Sequence, residues 1–190
     1  NADANADASA SVSASAEDSI RELELELEVG GELGEGIQRS VSKALNECVG
    51  ALVTRLLFLQ KRAYRENPVK NQSKKRLLFG LNEVKKSVRL GKCKALVLVP
   101  NVETGVSEIA ETARQIVRGC LDKGVRVVFA LSRAKLGALV KRGVRMSMCS
   151  VVDYSGGEEE FKRMLDTARE LSRPPAPLSL EQEEEEEGEG

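Results

Sequence analysis

The stretch Ala95-Leu-Val-Leu-Val99 decides the fold, because it is apolar at five consecutive positions and is followed directly by Pro100. A strand without polar alternation is buried on both faces, which is typical of a sheet covered by helices on both sides. Two further apolar runs follow, and each is predicted to be a strand. They extend from Val125 to Ala130 and from Met146 to Val152.

Segments with helical spacing of apolar residues lie around these strands. The sequence predicts five helices, which end at glycine, proline or polar turns. Their expected ranges are Ser40–Arg65, Leu81–Leu90, Ser107–Lys123, Ser132–Arg142 and Glu158–Ser172. A short apolar run, Leu77–Phe79, adds an expected edge strand. Alternating strands and helices predict an α/β fold, a three-layer α/β/α sandwich with a mixed, mostly parallel four-stranded sheet.

The charge distribution divides the chain into three parts. Residues 1–50 carry 11 acids and 3 bases, and residues 174–190 carry 7 acids and no base. The middle, residues 51–173, carries 26 bases and 12 acids, a surplus typical of proteins that bind polyanions. We therefore expect a disordered acidic low-complexity segment at 1–38, a folded domain at 39–173 and a disordered, proline-containing acidic tail at 174–190.

Composition argues against most catalytic classes. The chain has no histidine, and its four cysteines form no C-x-x-C pair, so we expect no metal, no cofactor, no small-molecule substrate and no enzymatic activity. Asp153, at a strand end, is expected to shape a turn or to cap a helix. No apolar run approaches the ~20 residues that span a bilayer, and no signal peptide is recognisable. These features predict a cytoplasmic protein, with a nuclear location as an alternative; because residue 1 is Asn, we expect a fragment or processed form.

The most informative segment for function runs from Lys74 to Lys86. Gly80 allows close backbone approach where a helix begins. Asn82 and Glu83 then lie in the first helical turn, where a carboxylate can accept hydrogen bonds from a guanine edge. Lys86 lies on the same helical face as Glu83 and can neutralise phosphate. Judged on these residues alone, a capped, charged surface helix remains the alternative.

The pattern Gly80-x-Asn82-Glu83-x-x-Lys86 resembles the signature of the kink-turn-binding superfamily of ribosomal and ribonucleoprotein proteins. That resemblance implies the α/β/α fold and recognition of sheared G·A pairs by these four residues. It also implies a second recognition loop over residues 143–148, in which apolar side chains hold a protruding nucleotide. Val144, Met146 and Ser147 are the candidates for that role, and Arg145 stands where the family usually has proline, which favours a phosphate contact. Other phosphate contacts are expected from Lys74, Lys75, Arg76, Arg133, Lys141 and Arg142.

One branch of the superfamily, the SECIS-binding proteins, is similar over more of the chain. The similarity includes the segment from Phe58 to Lys70, then Pro100-Asn101, Phe129-Ala-Leu-Ser-Arg133 and Tyr154-x-Gly156. It implies binding of SECIS RNA in selenoprotein messages, so that UGA codons are read as selenocysteine. The ribosome and the selenocysteine-specific elongation factor are the further partners implied. The alternative is a generic kink-turn RNA-binding protein of a ribosomal or small nucleolar particle, which leaves Phe58–Lys70 unexplained.

Overall fold

The computed structural model describes residues 42–100, 107–140 and 144–172. The helices are α1 (Lys43–Glu66), α2 (Pro68–Asn71), α3 (Leu81–Arg89), α4 (Ser107–Asp122), α5 (Arg133–Val140) and α6 (Glu158–Ser172). The strands are β1 (Leu77–Phe79), β2 (Ala95–Leu98), β3 (Arg126–Phe129) and β4 (Met148–Val151). The five helices and four strands expected from the sequence are all present, and the one-turn helix α2 is an addition.

Local signals explain where these helices begin and end. The Ser42 hydroxyl accepts a hydrogen bond from the Leu45 amide and caps α1. Asn67 ends that helix in an extended conformation, as a residue before proline must. The Ser132 hydroxyl accepts from the Lys135 amide and caps α5. These polar residues fix where each helix begins or ends.

The sheet has the strand order β1-β4-β2-β3. It is mixed, as expected, and three of its four strands run in one direction. The expected mixed, mostly parallel sheet is confirmed in the direction of its strands. Strand β4 is the exception, and because it lies between β1 and β2, the parallel neighbours in the sheet are β2 and β3. Residues Val144–Ser147 run back along α5, so that β4 begins at the end of the sheet where β2 and β3 finish.

Two hydrophobic cores lie on opposite faces of this sheet and confirm the three-layer sandwich. Alternate residues of β2 point to different cores: Ala95 and Val97 to the first, Leu96 and Leu98 to the second. Helices α1, α5 and α6 cover the first core, and α3 and α4 cover the second. Because both faces of β2 are covered, its sequence has no polar alternation.

The four cysteines are buried and free, as expected of small core residues. Burial raises the pKa of the Cys149 thiol, so this side chain stays uncharged in the core. Within the described ranges, no helix is both long and apolar enough to cross a membrane. The expected acidic segments at 1–38 and 174–190, and the candidates Lys141 and Arg142, lie outside the described residues.

Candidate nucleic-acid interface

One edge of the sheet brings together residues that are far apart in the sequence. Phe79 at the end of β1 pairs with Cys149, and Leu98 at the end of β2 pairs with Met148 at the start of β4 and with Phe129 at the end of β3. Three strands therefore end, and one begins, at this edge. We call it the recognition edge; it comprises the start of α3, the start of α5 and the segment Val144–Ser147. From β1 to β3 it spans three strand spacings, or about 14 Å.

Gly80 forms the turn from β1 into α3. Its backbone has φ 89° and ψ 147°, a conformation that side chains with a Cβ rarely adopt. A Cβ at this position would have no atom within 4 Å. Glycine is thus required by the backbone conformation, and the space beside it is open to a ligand.

Asn82 and Glu83 are exposed in the first turn of α3, as the sequence predicted. No side chain caps this helix, and its first backbone bond joins the Val84 amide to the Gly80 carbonyl at 3.0 Å. The amides before Val84 therefore have no acceptor within the helix. Lys86 is exposed one turn further along the same face. This arrangement offers amide donors, a carboxylate acceptor and a positive charge to one ligand.

A buried polar contact fixes α3 on the sheet. The Ser87 hydroxyl lies 2.9 Å from the Ser150 hydroxyl of β4 and 2.8 Å from the Val84 carbonyl. Both serines are buried, and buried hydroxyl groups are costly unless they are hydrogen-bonded. The pair therefore favours one position of α3, and no pattern in the sequence indicated this contact.

The segment Val144–Ser147, called here the return loop, runs back along α5 to the recognition edge. The Met146 amide donates to the Arg133 carbonyl at 3.2 Å, and the Val99 amide donates to the Ser147 carbonyl at 2.9 Å. Gly137 lets the loop lie directly on α5, since a Cβ there would collide with the Val144 carbonyl. The loop is thus held at both ends and along its backbone.

Within the return loop, the side chains differ in their exposure to solvent. Val144 is 59% exposed, an unusual surface position for an apolar side chain, and Arg145 is exposed beside it. Met146 is half-buried against the first core, and Ser147 is also half-buried. Val144 and Arg145 are therefore the members of the loop that a ligand meets first.

Leu131 is a residue of this edge that the sequence did not indicate as special. Its φ is 67°, the only positive value among the non-glycine residues that the structure describes. Such a conformation costs roughly 1–2 kcal/mol in a residue with a Cβ. The Asn46 side chain of α1 accepts a hydrogen bond from the Leu131 amide at 2.7 Å. Local backbone strain of this kind is often found near functional sites.

Two of the predicted phosphate-binding positions, Lys74 and Lys75, are exposed, but they precede β1 rather than follow it. Arg76, the third, is four residues from Gly80, or about 13 Å along an extended strand. Its side chain is 21% exposed and pairs with Asp153 at 3.2 Å. Its guanidinium also donates to the Ser155 carbonyl. These three residues thus lie at the opposite edge of the sheet, and their assignment to phosphate remains a prediction.

Asp153 has the turn-forming role that the sequence indicated. Its carboxylate accepts hydrogen bonds from the Ser155 amide and hydroxyl. Partial burial alone would raise the pKa of Asp153, but the Ser155 hydrogen bonds and the charge of Arg76 outweigh that effect and lower this pKa. The carboxylate therefore stays ionised as part of a structural turn.

Comparisons with known proteins agree with this geometry. Residues 62–160 match the sequence model of the ribosomal protein L7Ae/L30e/S12e/Gadd45 family. Rat selenocysteine insertion sequence-binding protein 2 is 32% identical over 124 residues, which cover 64% of this chain and 15% of the rat protein. The mouse protein named selenocysteine insertion sequence-binding protein 2-like is also 32% identical, over 68% of this chain and 12% of its own length. The chain therefore spans only a small part of these relatives.

Shorter proteins match over most of their own length. The large ribosomal subunit protein eL8 of Thermoplasma volcanium is 29% identical over 63% of this chain and 87% of that protein. The solved structure of the Giardia lamblia 15.5kD RNA binding protein has a TM-score of 0.53 and 21% identity, and the match covers 68% of this chain and 92% of the other. At that identity the structural likeness confirms the fold.

Proposed function

Because the chain belongs to the ribosomal protein L7Ae/L30e/S12e/Gadd45 family, we propose that it binds RNA through its recognition edge. One observation carries the proposal: the exposed Asn82 and Glu83 lie at an uncapped helix start, beside the open backbone of Gly80. Backbone amides attract phosphate, while a carboxylate repels it and accepts from base N–H groups instead. The combination suits a ligand that presents both backbone and base edges.

The chemistry of the side chains at the recognition edge suggests a separate role in RNA binding for each of them. Glu83 and Asn82 read the exposed edges of sheared G·A pairs, and Lys86 neutralises a nearby phosphate. Across the edge, Val144 offers an apolar surface to an unstacked base, and Arg145 lies where it can contact that nucleotide's phosphate. RNA is commonly recognised through such splayed bases rather than through its deep major groove. The role proposed is binding, with no catalytic step.

The finer proposal is that the RNA is a SECIS stem-loop and that binding promotes selenocysteine incorporation at UGA codons. It is supported by the identity of about a third to the two SECIS-binding relatives. It is also supported by the segment Phe58–Lys70, whose similarity to that branch has no counterpart in the generic motif. The ribosome and the selenocysteine-specific elongation factor are the partners that this role requires.

A generic kink-turn RNA is the second candidate. The observation that favours it is the match to eL8, which covers nearly the whole of that ribosomal protein. Asn82 is also the residue of the generic kink-turn motif.

A titration against three RNAs at one moderate salt concentration separates the two candidates. The RNAs are a SECIS stem-loop, the same stem with its G·A pairs replaced by Watson–Crick pairs, and an unrelated kink-turn. Tight binding to the first alone is the result expected for SECIS recognition. Comparable affinity for the first and third would replace it with the generic role, and equal weak binding to all three would refute G·A recognition.

A further inference from the structure

The last helix ends near the recognition edge. Helix α6 runs antiparallel to α1: a Cβ at Gly156, just before α6, would lie 2.9 Å from Leu59 in the second half of α1. Eleven residues later, the Thr167 hydroxyl lies 3.7 Å from the Cys48 thiol, near the start of α1. That start is at the recognition edge, since the Asn46 side chain binds the Leu131 amide. Ser172, the last residue of α6, therefore lies near this edge.

The charges of the edge and of the tail are complementary. Lys86, Lys135 and Arg145 are exposed at the edge, and Glu83 is an acid beside Lys86. The amides at the uncapped start of α3 add to this positive potential. Residues 174–190 carry seven glutamates and no base, and the first of them, Glu181, follows Ser172 by nine residues. Nine residues reach up to about 30 Å, which is enough to bring the glutamates over the edge.

We propose that in the RNA-free protein the glutamates between Glu181 and Glu189 occupy the recognition edge and compete with weakly bound RNA. The inference deepens the proposed function and rests on it for its biological meaning. The tail imitates a run of phosphates, but it offers no base edge to Glu83. Every RNA must displace the tail, and RNA with the correct base edges still binds because it keeps its contacts to Glu83, whereas RNA held by phosphate contacts alone does not.

The size of the effect follows from linked equilibria. A tethered segment of this length has an effective concentration on the order of 1 mM. If the free tail binds with a Kd of about 0.25 mM, it occupies the edge about 80% of the time. The apparent affinity of every RNA is then reduced roughly fivefold at low salt. The tail and the RNA both bind the edge through ionic contacts, so the fivefold reduction in affinity disappears as the salt concentration increases.

The first test needs no RNA. Amide shifts are compared, in nuclear magnetic resonance spectra, between the full chain and a variant in which all seven tail glutamates are replaced by glutamine. Shift changes at Gly80, Lys86 and Arg145 are expected. They should be lost in a background of Lys86→Gln with Arg145→Gln. They should persist in the control background of Lys70→Gln with Lys94→Gln, two exposed lysines away from this edge. No shift change at the edge, or equal loss in both backgrounds, would overturn the proposal.

The second test measures competition with an unstructured RNA at low and high salt. The glutamine-tail variant should bind it about fivefold more tightly than the full chain at low salt and equally at high salt. An unchanged affinity at low salt would also overturn the proposal. If neither protein binds any RNA while the shift changes are seen, the proposed function fails and the tail contact stands. If RNA binds but the shifts are absent, only the tail contact fails.

Discussion

Glu83→Gln separates base recognition from phosphate contact, because it removes a charge and keeps the shape of the side chain. Glu83 is exposed and has no ion pair or hydrogen bond to any residue that the structure describes. The fold therefore loses only the favourable position of a carboxylate at a helix start, worth about 0.3–1 kcal/mol. Binding should lose more, about 1–3 kcal/mol, because a charged acceptor of base N–H groups becomes a neutral amide. That loss corresponds to a roughly 5- to 150-fold increase in Kd.

The assay is a binding titration with the SECIS stem-loop and with the same stem lacking G·A pairs. The loss should appear on the first RNA alone, with little change in salt dependence. Glu159→Gln is a matched control, since Glu159 is an exposed glutamate in the first turn of α6, far from the recognition edge. An equal loss on both RNAs, or the same loss in Glu159→Gln, would refute the assignment of Glu83 to base recognition.

Three further predictions concern the scaffold. Gly80→Ala should lower the free energy of unfolding by about 1–3 kcal/mol, because φ is positive at this position. Gly50→Ala is the control: it lies within α1, where alanine is preferred over glycine, and should raise the free energy of unfolding by about 0.5–1 kcal/mol. Urea denaturation measures both effects. Gly137→Ala should push the return loop away from α5, which lowers the free energy of unfolding by about 1–3 kcal/mol. It should also weaken RNA binding more than a substitution elsewhere on the surface does. An unchanged affinity in a binding titration of the folded variant would contradict this prediction. The pKa of Asp153 is lowered on folding from its usual value of 3.8, so its carboxylate stabilises the fold above that pH and loses this contribution as pH falls through the lower folded value. Asp153→Asn should therefore destabilise the protein at pH 7, and the effect should shrink as pH falls below about 4, which urea denaturation over a range of pH would test.

The sequence predicted the elements well, because the apolar runs, glycines and prolines act locally. The run from Ala95 to Val99 indicated a strand buried on both faces, and both faces are indeed covered by helices. The order of the strands in the sheet could not be predicted from these local patterns. It depends on the return loop, whose path along α5 is set by the missing side chain of Gly137 and by the bond between Met146 and Arg133. These are contacts in space that the spacing of apolar residues does not encode.

In the candidate site, too, features that are local in the chain could be predicted from the sequence, and contacts between distant residues could not. The segment from Gly80 to Lys86 is continuous in the chain, and the structure places its four predicted residues together at one helix start. Arg76 is only four residues away, yet it lies at the other end of β1 and pairs with Asp153. Lys74, Lys75 and Arg76 are predicted to contact phosphate, and strand β1 separates them from the motif. Leu131 was missed because its strained backbone depends on a partner, Asn46, that is 85 residues away.

Mapping amide shifts on the full chain, as a kink-turn RNA is added, tests the central claim most directly. The largest changes are expected on Gly80 to Lys86 and on Val144 to Ser147. An RNA with Watson–Crick pairs in place of G·A pairs should leave the Glu83 amide almost unchanged. Changes concentrated on α4 and α6, with the recognition edge unaffected, would contradict the account.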